Sequence, residues 1–187
     1  MTVRQAEGER EVETLWQGKY LDVRREGTWE YVSRTRGISA AVIVAVDDGP
    51  FGEARDRHVL LVEQYRVPLG RRCLELPAGL VGDETEGEDV AVAAIRELEE
   101  ETGYRAERMV VLGEFHSSPG MVSEGFTLLR AEGLTRIGDG GGVDGENIVV
   151  HRVGVTALPA FVAGKRAEGM AMDVKLLLLL GAGMLAA

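Results

Sequence analysis

A short acidic stretch limits what this chain can fold into more than any other part of it. Residues 82–104 read GDETEGEDVAVAAIRELEEETGY, in which Arg96 is followed by four glutamates within five positions. Small and apolar side chains recur here at the spacing of one helix face, which predicts an amphipathic helix with a single buried stripe. The stripe comprises Ala91, Ala94, Ile95, Leu98 and Thr102.

Three of the glutamates, Glu97, Glu100 and Glu101, are related as i, i+3 and i+4, so we expect their carboxylates on one flank of the helix. Like charges at this spacing destabilise an isolated helix by about 0.2–0.5 kcal/mol per pair. A divalent cation converts the repulsion into coordination, because Mg²⁺ takes oxygen ligands and keeps some waters for a phosphate-bearing substrate. The stretch therefore predicts a metal site, with Glu97 and Glu101 as first ligands and Glu100 as the third. Arg96 is interpreted as the residue that holds these carboxylates by ion pairing.

The chain as a whole is acidic, with a formal net charge of −10 over 187 residues. No basic stripe is left to neutralise a nucleic-acid backbone, so we expect no nucleic-acid partner. A nucleotide substrate is compatible with this charge, because a bound metal ion inverts the local field. The single cysteine, Cys73, cannot form an internal disulfide, which favours a reducing, cytoplasmic location, and we interpret it as a packing residue.

The hydrophobic pattern predicts an α/β domain. Ile38–Val46 is a continuous apolar run, as expected for a strand covered on both faces, and further strand-like runs alternate with helical ones. The N-terminal segment Glu11–Arg36 reads as short strands that include a hairpin. The uncharged run Leu176–Ala187 is shorter than the roughly 20 residues that a membrane span needs. We therefore expect a closing helix there and no membrane partner.

The acidic stretch also resembles the full signature of the Nudix hydrolases, enzymes that cleave nucleoside diphosphates linked to another moiety. The matching positions are Gly82, Glu88, Arg96, Glu97, Leu98, Glu100, Glu101, Gly103 and Tyr104. The resemblance implies a mixed β-sheet sandwiched between α-helices and a need for Mg²⁺, with Mn²⁺ as a substitute. It divides the chain into an N-terminal β arm, 1–37, and a Nudix domain, 38–187. We expect Glu88 to open the helix, where a carboxylate suits the positive end of the dipole.

Other segments resemble the ADP-ribose pyrophosphatase branch of that family. The segment His116–Glu124, which contains Pro119 and Gly120, looks like the one that marks the branch. Val62–Arg66 and Leu74–Gly79 are similar to it as well. The resemblance implies that Pro119 and Gly120 line the substrate site.

Arg66 has two readings. The resemblance implies a contact with substrate, and a guanidinium matches phosphate oxygens well. The residues alone also allow a surface ion pair with Glu63 or Glu75.

In the family, the backbone carbonyl just before the first signature glycine also binds metal. Here the strict spacing selects Gly82, whereas the local sequence Leu76–Gly79 resembles the family's loop three residues earlier. The ligand is therefore either Ala78 or the residue before Gly82, and Ala78 is favoured.

The catalytic base has three candidates. The Gly-rich segment Gly138–Gly145 is interpreted as a mobile loop that closes over substrate and brings a carboxylate to the attacking water. Glu146 fits that role best, Asp144 is second, and Glu124 competes from another loop. Sequence leaves the choice open because proton abstraction depends first on geometry.

The resemblance further implies that the N-terminal arm is exchanged between the subunits of a homodimer. Trp29 would then stack on the adenine and Arg34 would reach the diphosphate across the interface.

These features favour a Mg²⁺-dependent hydrolysis of ADP-ribose to AMP and ribose 5-phosphate. One alternative is the hydrolysis of another nucleoside diphosphate sugar, such as GDP-mannose or ADP-glucose. A second alternative is a nucleotide-sensing module without turnover, although such proteins usually lose one of the signature carboxylates.

Overall fold

The computed structural model describes residues 11–35, 37–48, 57–82, 87–143 and 145–185. The strands are β1 Val12–Gln17, β2 Leu21–Glu26, β3 Trp29–Arg34, β4 Ser39–Asp47, β5 His58–Arg66, β6 Arg71–Glu75, β7 Ala78–Val81, β8 Tyr104–Arg105, β9 Arg108–His116, β10 Gly125–Glu132, β11 Thr135–Arg136, β12 Val149–Gly154 and β13 Ala171–Met172. The helices are α1 Val90–Thr102, α2 Leu158–Ala167 and α3 Leu177–Leu185. A 3-10 turn, Val174–Leu176, leads into α3.

Strand β4 lies at the centre of a mixed sheet. It pairs in parallel with β10 and antiparallel with β5 and β7. The order along the sheet is β13-β6-β5-β4-β10-β9, and β12 pairs with β5. Ile43 packs in a core with Leu98 of α1, whereas Val42 packs in a second core with Val162 of α2. The prediction of a mixed sheet between helices is therefore confirmed, because the apolar run of β4 needs cover on both faces.

Helix α1 is the predicted acidic helix, and its two ends have clear causes. Asp89 is the N-cap, and its side chain accepts hydrogen bonds from the amides of Ala91 at 2.9 Å and Val92 at 3.3 Å. Gly103 ends the helix with a φ of 73° and donates its amide to the carbonyl of Glu99 at 2.9 Å. Glu88 thus precedes the cap instead of opening the helix.

The segment after Pro77 is a short strand beside the acidic helix. Ala78–Val81 forms β7, which pairs antiparallel with β4 and packs against α1. A strand of four residues that includes a glycine carries no alternating pattern, so hydrophobic periodicity does not predict it. The consequence for the site is that this segment is held rigidly beside the acidic helix.

The N-terminal strands form a separate antiparallel sheet in the order β1-β2-β3. Its link to the rest of the described chain includes a bridge between Val32 and Val122, with the Val32 amide 2.9 Å from the carbonyl of Met121. Trp16 and Trp29 of this sheet are 58% and 59% exposed. The strand-like reading of this segment is confirmed, and the domain boundary at residue 37 stays a prediction.

The last helix agrees with the expected closing element. Leu176 is buried in the second core, and α3 follows it directly. In the described ranges no helix combines the length and the apolar character required to cross a bilayer.

Candidate active site

A cavity of about 400 Å³ opens between α1, β7 and the ends of β5, β6 and β10. It brings together most of the residues singled out from the sequence. Those that line it are Arg34, Arg66, Ala78, Glu97, Glu101, Glu124 and Glu146. A volume of this size is typical of sites for small ligands.

Glu101 is a buried carboxylate of this cavity. It is 5% exposed, and one carboxylate oxygen accepts a hydrogen bond from the amide of Ala78 at 3.0 Å. Burial, together with the negative charges of Glu97, Glu146 and Glu75, raises the pKa of Glu101 to about 8, against the lowering effect of the Ala78 hydrogen bond. A carboxylate held in this way is stabilised in its ionised form by a nearby cation.

Glu97 shares the cavity with Glu101 because the two lie one helical turn apart. Gly79 of β7 leaves room for it, since a Cβ at this position would collide with the Glu97 carboxylate. Ala78 lines the cavity, whereas Val81, which precedes Gly82, packs against the first core. Of the two residues that could supply the metal-binding carbonyl, Ala78 thus lies at the cavity and Val81 at the first core.

Glu100 lies outside the lining of the cavity. Arg96 contacts it at 3.4 Å, and the same guanidinium lies 3.0 Å from Glu97 and 3.6 Å from Glu88. Adjacent helical residues are about 100° apart around the axis, so Glu100 cannot face the same direction as Glu101. The expected role of Arg96 as the residue that pairs with these carboxylates agrees with this arrangement.

The Gly-rich segment before Glu146 is hydrogen-bonded to the end of α1. The amide of Gly141 donates to the carbonyl of Glu101 at 2.9 Å, and that of Gly142 donates to Glu100 at 3.0 Å. A Cβ at Gly140 would collide with the backbone of Thr102. The glycines therefore permit close backbone approach to the helix end.

The candidate bases are held in different ways. Glu146 accepts a hydrogen bond from the uncharged amide of Val143 at 3.0 Å. Glu124 instead forms an ion pair with the guanidinium of Arg34. Asp144 lies outside the described residues. Glu146 is thus the described candidate whose carboxylate is placed by the backbone of its own loop.

The position of Arg66 is compatible with both interpretations, the ion pair and the contact with substrate. Its guanidinium binds Glu75 through two hydrogen bonds of 2.6 and 2.7 Å, and the same side chain lines the cavity. The Glu75 side chain is 5% exposed and that of Arg66 is 43% exposed. A buried carboxylate therefore fixes the guanidinium in the cavity wall while leaving part of it open to a ligand.

Three of the predicted substrate residues lie in a second cavity of about 410 Å³. Trp29, Pro119 and Gly120 line it together with Tyr31 and Val122. Strand β3 connects the two cavities, since it carries Trp29 in one and Arg34 in the other. The predicted substrate residues thus fall into two groups on either side of the arm.

Lys175 is a cavity residue that the sequence reading missed. It comes from the 3-10 turn before α3, lies 2.7 Å from Asp173 through its Nζ, and stands 5.6 Å above the ring of Phe126. Lys175 and Phe126 both line the first cavity. The available sequence signal was Asp173, whose side chain caps this turn at the amide of Lys175, but the position of the turn is set by tertiary packing.

The NUDIX domain is the family whose model matches this chain, over residues 35–156. The chain belongs to the Nudix family. Curated relatives of this Nudix protein include the methanol dehydrogenase activator of Bacillus methanolicus, which is 43% identical over 94 residues, 50% of this chain and 49% of that protein. The ADP-ribose pyrophosphatase of Bacillus subtilis is 36% identical over 97 residues, 52% and 46% of the two chains. The mouse ADP-sugar pyrophosphatase is 45% identical over 93 residues, 47% and 40% of the two chains.

The Nudix chain spans about half the length of the curated relatives it matches. A crystal structure of an ADP compounds hydrolase is similar over 94% of this chain and 92% of that chain, with a TM-score of 0.63 and 21% sequence identity. This likeness shows that the two share a fold.

Proposed function

We propose that this Nudix protein is a metal-dependent pyrophosphatase that hydrolyses ADP-ribose to AMP and ribose 5-phosphate. The observation that carries the proposal is the buried Glu101, whose pKa is raised to about 8 among other carboxylates of the same cavity. Perturbed carboxylates in a cleft are typical of functional sites. The relatives named as ADP-ribose and ADP-sugar pyrophosphatases support the substrate class.

The carboxylates of the cavity suit Mg²⁺, with Mn²⁺ as a substitute, because both are hard cations that take oxygen ligands. Glu97, Glu101 and the Ala78 carbonyl are the proposed ligands, and Glu100 is the third carboxylate that the signature predicts. Among the residues that the structure describes, no three acidic, histidine or cysteine side chains already form a metal-binding group. Glu146, on the same cavity, is therefore a further candidate to complete the ligand set. When bound, the ion neutralises charge on the diphosphate and activates water.

The chain's own side chains have distinct proposed roles. Glu146 accepts the proton of the attacking water, with Asp144 and Glu124 as the other candidates. Arg66, preorganised by Glu75, binds a phosphate oxygen without the entropic cost of ordering its side chain. Arg34 and Glu124 form an ion pair on the wall that faces the arm.

The substrate is tested by comparing two nucleotide sugars. Purified protein with Mg²⁺ is incubated with ADP-ribose and, in parallel, with GDP-mannose, and AMP or GMP release is measured with and without excess chelator. We expect faster AMP release, abolished by the chelator. Faster GMP release would select another nucleoside diphosphate sugar, and tight binding of ADP-ribose without AMP release would select a sensing role.

The arm supports a homodimer in which it is exchanged between subunits. Every residue of β1 is exposed, and Trp16, Tyr20 and Trp29 together expose a large aromatic surface. Trp29, beside Pro119 and Gly120, would stack on the adenine in the second cavity. Deleting residues 1–36 and measuring mass in solution tests this arrangement, because an active monomer would contradict it.

A further inference from the structure

A buried ionic cluster lies on the face of the sheet opposite the cavity. Its centre is Glu63, which is 8% exposed and lies next to Gln64, a cavity residue that points the other way on β5. Glu63 accepts hydrogen bonds from Arg72 at 2.6 Å and Lys165 at 3.2 Å, and lies 2.9 Å from His151. The cluster thus joins β5, β6, β12 and α2.

Arg72 also reaches beyond this cluster. Its Nη2 donates to the backbone carbonyl of Glu63 at 2.8 Å and to that of Asn147 at 3.0 Å. Asn147 follows Glu146 directly and has a φ of 52°, a left-handed conformation that is uncommon outside glycine. The guanidinium therefore ties the end of the loop that carries Glu146 to strand β5.

The loop has a second anchor at its other end. The amides of Gly141 and Gly142 donate hydrogen bonds to carbonyls of α1. The amide of Ile148 in turn donates to the carbonyl of Gly141 at 3.1 Å. Only residues 143–146 lie between the helix anchor and Asn147. The direction of the Glu146 side chain is thus set by two fixed points, of which one is a charged hydrogen bond from a different strand.

We propose that Arg72 is a positioning residue, which holds the Glu146 carboxylate at the cavity by clamping the carbonyl of Asn147. This inference rests on the proposed function for its catalytic consequence, but the clamp itself does not. Arginine suits the task because its planar fork serves Oε1 and the carbonyl of Glu63 together with the carbonyl of Asn147. A lysine at this position would keep the charge but lose the fixed fork.

A purely stabilising role is the competing explanation, and the chain offers matched variants to separate the two. Glu63 keeps His151 and Lys165 as partners when Arg72 is changed, and Arg72→Lys also preserves the charge. Arg71, the neighbour on β6, bonds the carbonyl of Gly169 at 3.4 Å, away from the loop. Arg71→Gln is therefore the control for losing an arginine from this strand.

The clamp is tested directly by hydrogen exchange in the full chain. In Arg72→Gln and Arg72→Lys we expect the amide of Ile148 to exchange about tenfold faster than in wild type, while amides within α1 stay unchanged. In Arg71→Gln the Ile148 amide should exchange at the wild-type rate. Wild-type exchange at Ile148 in both Arg72 variants would overturn the proposal.

The catalytic consequence is tested by a double-mutant cycle with Glu146→Gln, measured as AMP release under saturating Mg²⁺. We expect Arg72→Gln to lower kcat about tenfold with KM within about twofold, and to cause no further loss in the Glu146→Gln background. Arg72→Lys, which keeps the charge beside Glu63, should have an unfolding free energy closer to that of wild type than Arg72→Gln has. Its kcat should nevertheless stay as low as that of Arg72→Gln. Independent, multiplicative losses would overturn the positioning role. If the wild type released no AMP, the proposed function would fail and hydrogen exchange alone would decide the clamp.

Discussion

Two buried glutamates of this protein have opposite surroundings. Glu63, 8% exposed, is surrounded by Arg72, His151 and Lys165, whereas Glu101, 5% exposed, faces other carboxylates. Burial by itself raises the pKa of both groups. At Glu63 the hydrogen bonds from its basic partners outweigh burial and hold the pKa below its usual value. At Glu101 the neighbouring charges add to burial and raise the pKa.

This difference indicates that the charge of Glu63 stabilises the fold, whereas that of Glu101 is suited to binding a ligand. A carboxylate that the chain itself neutralises stabilises the packing of the elements that supply its partners. A carboxylate that the chain leaves among like charges is destabilising until a cation arrives, so its retention points to function. Each variant below tests one side of this contrast.

The largest expected effect is on turnover at Glu101. Glu101→Gln removes a charged oxygen ligand, and we expect kcat for AMP release to fall by about 10³-fold, or about 4 kcal/mol of transition-state stabilisation. The matched control is Glu99→Gln, since Glu99 lies on the same helix and pairs with the exposed Arg105. Control activity should stay within about twofold of wild type. Equal losses in the two variants would show that helix charge in general, and not the cavity, is responsible.

Glu63 should show the next largest effect, and it should be on stability. Glu63→Gln leaves Arg72, His151 and Lys165 close together without their shared anion, and we expect unfolding free energy at pH 7 to fall by about 3 kcal/mol. Denaturant titration measures it. Glu168→Gln is the control, because Glu168 is an exposed partner of Lys165 at 3.8 Å and should contribute less than about 1 kcal/mol.

The pH dependence of the Glu63 contribution has a definite sign. The folded-state pKa of Glu63 lies below its ordinary value of 4.5, so its contribution is complete above that pH and is lost as the pH falls through the lower folded pKa. The gap in stability between wild type and Glu63→Gln should therefore narrow in acid. A gap that widened below pH 4.5 would contradict the assignment of Glu63 as the ionised centre of the cluster.

The contrast also explains how much of this site the sequence could predict. Glu97, Glu101 and Arg96 belong to one helix, and the helical period places Glu97 and Glu101 on one side without knowledge of the fold. The same period separates Glu100 from Glu101, a consequence that the signature alone did not reveal. The sequence thus predicts those features of the site that lie within a single helix.

The other features of the site depend on contacts between residues that are far apart in the sequence. Arg72 meets Asn147, 75 residues later, and Lys175 meets Phe126 across the sheet, so no local pattern reports either contact. The Gly-rich segment suggested mobility, whereas its glycines permit docking on α1. Composition gives the conformational freedom of a loop but not the surface that the loop packs against.

We expect Glu101→Gln to change the unfolding free energy in the opposite direction to Glu63→Gln. Because the folded-state pKa of Glu101 is raised from 4.5 to about 8, ionisation destabilises the metal-free protein progressively as the pH rises between these values. In chelator at pH 8, Glu101→Gln should therefore be more stable than wild type by up to about 4 kcal/mol, and the gain should shrink as the pH falls and vanish below the unfolded pKa of 4.5. Mg²⁺ should raise the melting temperature of wild type more than that of the variant. A variant less stable than wild type at pH 8 in chelator would remove the charge argument for a metal site.

The smallest expected effect tests whether the wall that carries Lys175 takes part in substrate binding. Lys175 brings a positive charge to the wall beside Phe126, and Asp173 holds it in place at 2.7 Å. Lys175→Met should raise KM for ADP-ribose about fivefold, equivalent to about 1 kcal/mol of binding, with kcat changed by less than about twofold. Lys175→Arg should restore most of the affinity, and the surface control Arg166→Met should leave it unchanged. An unchanged KM in Lys175→Met would confine substrate binding to the Arg34 and Arg66 side, and the cavity would then divide into a binding wall and a structural wall.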